Sequence, residues 1–76
     1  MTPHNKTSLI SLIKDMILRD LKAAEASQNL VDMSFNIGSV KALGEILGAL
    51  PVDDSEATDI LFFTQSVTER IGKING

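Results

Sequence analysis

Seventy-six residues make one domain, and a chain of that length buries only about 60% of the surface it exposes when unfolded. It has no cysteine and a single histidine, His4, so neither disulfides nor a thiolate or histidine metal site can make up the deficit, which leaves oligomerisation. Ten acidic residues against seven basic ones, a net charge of −3, argue against partners such as nucleic acid or an anionic membrane surface, both of which recruit Lys and Arg.

The polar stretch MTPHNKTS does not resemble a secretory signal, and no apolar run approaches the roughly 20 residues of a membrane span. A soluble, cytoplasmic chain is expected. Residues 1–6 read as a disordered lead. Thr7 or Ser8 is expected to cap a first helix over about 8–27, because a hydroxyl there accepts one of the free N–H groups. Leu9, Ile13, Met16, Ile17 and Ala24 share its apolar face, with Leu12, Ile10 and Leu21 widening it. Asp20 falls in the middle of that face. Either the face rotates or the helix thins there, leaving Asp20 at a solvated edge, or a buried pair with Arg70, Lys41 or Lys73 fixes register.

Ser27-Gln28-Asn29 is the break before a second helix over 32–50, where Asp32 suits the cap or first turn. This helix is the element on which the rest must pack. Met33, Ile37, Val40, Leu43, Leu47 and Leu50 recur every three or four residues, and Phe35, Ala42, Ile46 and Ala49 carry the apolar surface round the flank. Only Ser34, Lys41 and Glu45 form a clear polar strip. A helix so apolar all round, in so short a chain, calls for a second subunit. Ile37, Val40, Gly44, Leu47 and Gly48 are the expected oligomer interface. Gly44 and Gly48 share a face and each costs about 1 kcal/mol against Ala, so they need a reason. Either they make room for Phe62 or Phe63 within the chain, or they allow two helices to cross closely between subunits.

Pro51 ends the second helix, since the residue before a proline is pushed out of the α region. Asp54 or Ser55 is expected to cap a third helix over 55–74, with Glu56 adding favourable charge to its first turn and Ile60, Phe63, Val67, Ile71 and Ile74 as its stripe. A cap accounts fully for Asp53-Asp54-Ser55-Glu56. An EF-hand needs ligands at alternate positions over twelve residues, and an acyl carrier needs more helix after its serine. The same acids would face phosphates in a helix-turn-helix reading, which counts against DNA binding.

Phe62, Ser66, Arg70 and Lys73 form a column beside the stripe of the third helix. They could hold a small anionic ligand, nucleotide-like, by stacking, hydrogen bonding and ion pairing. The plainer reading is an amphipathic edge whose cations complement the helix C-terminus. No nucleophile–histidine pair, Gly-rich phosphate loop or ligand cluster is present, so catalytic residues, a metal and cofactors are not expected.

Asp32-Met33-Ser34-Phe35, followed by Gly38, Pro51 and the spacing of Phe63, Val67 and Ile71, resembles the YejL family of small helical dimeric bacterial proteins. The resemblance covers about half the chain. Ser39 stands where that family carries Asn, and Lys41–Leu50 departs from its pattern. It implies a helical fold and dimerisation and nothing about chemistry. A phage-encoded or mobile-element protein fits the same build. The fold class expected is all-α, three helices forming a bundle by homo-oligomerisation. The function expected is a non-enzymatic adaptor, inhibitor or regulator that binds another protein, with a small-anion binder as the alternative.

Overall fold

The computed structural model describes residues 3–75. Among them are three α-helices and no strand: α1 (Pro3–Ala26), α2 (Leu30–Ala49) and α3 (Asp54–Asn75). The first helix starts a turn earlier than expected, so Thr7 and Ser8 lie within it rather than capping it. Pro3 supplies the start, because its fixed φ suits the first helical position and its missing N–H would be unpaired there anyway. Of the expected disordered lead, residues 3–6 are helical and residues 1–2 lie outside the described part.

Side-chain caps set the other two starts. The Asn29 side chain accepts from the Asp32 backbone N–H at 2.9 Å and its Nδ2 donates to the Asp32 carboxylate at 2.9 Å, so α2 begins two residues before the expected point. At α3 the cap is Asp53, not Asp54 or Ser55. Its carboxylate accepts from the Glu56 N–H at 2.8 Å while Glu56 reaches back to the Asp53 N–H at 3.3 Å, a reciprocal capping box. The Leu50 N–H closes the end of α2 on the Leu47 carbonyl, and Pro51 then prevents any continuation.

A three-residue connection leaves α1 and α2 no choice but to lie antiparallel. These two are the most closely packed pair, and α3 returns to touch both more sparingly. The core is Ile10, Ile13, Ile17 and Leu21 of α1, Val40 and Leu47 of α2, and Ile60 and Val67 of α3. Leu43, Leu50, Phe63, Ile71 and Ile74 close over it half-buried. Relative to the expected face, α1 has turned: Leu9 is exposed and Ile10 and Leu21 are inside. That rotation moves Asp20 to the edge, where its carboxylate accepts from the Ser39 hydroxyl at 2.6 Å and lies 3.7 Å from the Arg19 Nε. The partner of Asp20 across the helices is therefore a serine, and none of Arg70, Lys41 or Lys73.

The glycines do not make room for phenylalanine. A Cβ built on Gly38, Gly44, Gly48 or Gly72 would meet nothing within 4 Å, and Phe62 points away, 64% exposed. With no clash to offset the gain in helix propensity, Gly44→Ala should stabilise the chain by about 0.5–1 kcal/mol. A urea denaturation midpoint that falls instead of rising would show that this face is occupied.

Candidate functional site

The two residue sets singled out by the sequence come to different places. Ile37, Val40 and Leu47 lie inside the chain, at most 8% exposed, and Val40 and Leu47 belong to the cluster shared with α1 and α3. What they can offer a second copy is correspondingly little. Gly44 and Gly48 sit at the rim instead, along a groove between α2 and α3. One part of this groove, about 350 Å³, is lined by Ile17, Val40, Gly44, Phe63, Val67 and Ile71, with Lys41, Glu45, Thr64 and Thr68 at its margins. The other part, about 290 Å³, runs past Leu47, Gly48, Val52 and Leu61. The two meet at Gly44 and Thr64. The groove exists because two glycines on α2 face α3 without side chains to fill the gap.

The column on α3 is pulled apart at Arg70. Its Nε donates to one oxygen of Glu25 at 3.1 Å and its Nη2 to the other, a two-pronged pair that ties α3 to the end of α1. Phe62, Ser66 and Lys73 stand exposed on the side of α3 away from the core, and none of them lines the groove. An anion bound at this column would have to draw Arg70 away from Glu25. On the same side of α1, the Lys14 ammonium lies 5.5 Å from the centre of the Phe63 ring. Nothing local in the sequence marks Glu25 or Lys14, since each meets its partner only through the third helix.

Hydrogen bonds from Arg70 hold the Glu25 carboxyl below its ordinary value of 4.5, against the opposing effect of desolvation, and the ion pair adds to the lowering. The Arg70 guanidinium is raised by the same contact. A carboxyl whose pKa is lower folded than unfolded stabilises fully above its unfolded value. That stabilisation is lost as pH falls below about 4.5 and through the lowered folded value. Glu25→Gln should accordingly melt below the wild type at pH 7 and converge with it in acid, the gap closing below pH 4.5 and not before. Parallel melting curves of constant separation from pH 7 to pH 3 would show that the pair does not couple α1 to α3.

Among the described residues no helix is long and apolar enough to cross a membrane, and no group of three or more His, Cys, Asp or Glu could hold a metal ion. Compared with models of protein families, with curated proteins and with solved structures, the chain matches none. The functional reading therefore rests on its own surface.

Proposed function

We propose that the protein is a non-enzymatic, self-associating helical module that acts by holding another protein. The observation that carries this reading is the amount of large apolar surface left uncovered. Among the described residues seven large apolar side chains stand more than half exposed, Val31 at 79% and Phe35 at 77% the most. Apolar side chains scattered singly are ordinary, but here they continue around α2 and into an open groove. That groove has the apolar floor and charged margin that an amphipathic partner helix seeks. The resemblance to the YejL family points towards the same self-associating helical build.

A photo-crosslinking side chain at Thr64, which borders both parts of the groove, should capture one defined protein in the producing cell. The purified pair should then bind, and Gly44→Trp, whose Cβ finds open space at the groove that Gly44 lines, should abolish that binding. Capture of nothing but further copies of the chain, or binding indifferent to Gly44→Trp, would remove the partner from this groove.

A further inference from the structure

Two features of α2 and one of the whole chain point to its outer side. At 100° per residue, Val31, Phe35, Gly38, Ala42, Ile46 and Ala49 fall within an arc of about 80°, roughly opposite Val40 and Leu47, which face the core. No charged residue lies within the arc. All six are exposed, and α3 is not on that side: it meets α2 at the flank of Gly44 and Gly48. The stripe is thus an apolar surface about 21 Å long from Phe35 to Ala49, at 1.5 Å per residue, with no neighbour inside the chain.

The order of sizes along it is the second feature. Phe35 and Ala49 each stand seven residues from Ala42, and Gly38 and Ile46 each stand four. Laid antiparallel on a copy of itself about Ala42, the stripe puts Phe35 against alanine and Ile46 against glycine, a large side chain into a small one each time. Laid parallel, it would put Phe35 against Phe35. Charge agrees with the antiparallel order. Lys41 and Glu45 lie together along one edge of the stripe, and a twofold axis at Ala42 makes that edge meet itself. Lys41 then comes alongside Glu45 of the partner subunit, offset by two residues, or about 3 Å.

The third feature is area. A compact monomer of 8.2 kDa has an accessible surface of about 4500 Å² by the usual scaling, whereas this chain exposes 5326 Å². The excess, about 800 Å² spread over the whole chain, is comparable in size to what each partner buries in a standard protein interface. The chain measures 42 × 19 × 15 Å, elongated and thin.

We infer that a second copy of this chain docks along the outer stripe of α2, antiparallel, with a twofold axis at Ala42. This deepens the self-association on which the proposed function rests and places the interface away from Gly44 and Gly48. The apolar floor of the α2–α3 groove then stays clear of the seam on each subunit, with Lys41 and Glu45 standing between the two surfaces.

The absence of native cysteine makes the geometry directly testable. Helices packed about 8–10 Å apart, with Cα atoms about 2.3 Å from their axes, bring facing Cα atoms to about 3.4–5.4 Å, whose upper part overlaps the separation of about 4.4–6.8 Å that a disulfide spans. Ala42→Cys should cross-link into a dimer at least about tenfold faster than Gln65→Cys on α3 under mild oxidation. Phe35→Cys and Ala49→Cys should each cross-link slowly alone and rapidly when the two chains are mixed. Phe35→Glu, an exposed position outside the core, should keep its helical circular dichroism and raise the dimer Kd by at least about a hundredfold. Sedimentation of the wild type separates the two failures. A wild type that is monomeric at micromolar concentration overturns both the self-association and this interface. An oligomer in which Ala42→Cys cross-links no faster than Gln65→Cys, or in which Phe35→Glu changes nothing, overturns only the interface. Rapid cross-linking of Phe35→Cys alone would make the helices parallel and overturn it as well.

Discussion

Leu21→Ala should leave the chain largely unfolded in moderate urea where the wild type is still native. Leu21 lies in the C-terminal third of α1 with none of its surface exposed, in one cluster with Ile17 and Val40. Removing a buried leucine side chain costs about 2–5 kcal/mol, the loss of transfer energy plus the cavity left behind. At about 0.05–0.15 kcal/mol per residue the whole chain has only about 4–11 kcal/mol to lose. A large share of the stability therefore hangs on one side chain, from about a fifth of it upwards. Leu61→Ala removes the same atoms from a residue 55% exposed and should cost less than about 1 kcal/mol. Urea denaturation of both variants at one protein concentration is the measurement. Similar midpoints for the two would mean that the core is not where the structure places it.

The contrast between those leucines also shows what could be read from the chain alone. Helical spacing separates the inner from the outer face where polar residues are frequent enough to mark the outside, as on α3. There Ile60, Phe63, Val67, Ile71 and Ile74 were the legible stripe, and all five are buried or half-buried. On α2 the expected stripe from Met33 to Leu50 does face inward, but so few polar residues mark the other side that the outer apolar stripe looked like its flank. Periodicity names a face; it does not say whether a helix of the same chain or of another copy covers it. The rotation of α1 had a different cause. Asp20 could be tolerated only at an edge with a donor in reach, and the donor, Ser39, belongs to the helix opposite. Caps were displaced by a residue or two because Asn29 and Asp53 each precede another good candidate. Only the three-dimensional pairing with Asp32 and Glu56 decides between them.

Val67→Ala should speed amide exchange in α3 by about 10–100-fold while changing the slowest amides of α1 and α2 far less. The reason is how unevenly the helices are held. α1 and α2 pack closely along their length and share most of the core, whereas α3 leans on them through Ile60, Val67 and the half-buried side chains around them. An open groove separates α3 from α2 at Gly44 and Gly48, so contact is interrupted where it would otherwise be tightest. Helices joined to a core by few apolar contacts open locally at lower free energy than the body they rest on. Val67 is 7% exposed, and losing two of its methyl groups costs about 1.5–3 kcal/mol, which converts to the stated change in rate if α3 opens by itself. The Glu25–Arg70 pair is a polar tie between α3 and α1, so Glu25→Gln should act in the same direction and more weakly. Docking of a second copy along α2 would add protection to α2 and none directly to α3, widening the difference as protein concentration rises. Hydrogen–deuterium exchange resolved by residue, on wild type and Val67→Ala at two concentrations, measures all of this. Exchange that rises equally in the three helices would mean that the chain opens only as a whole.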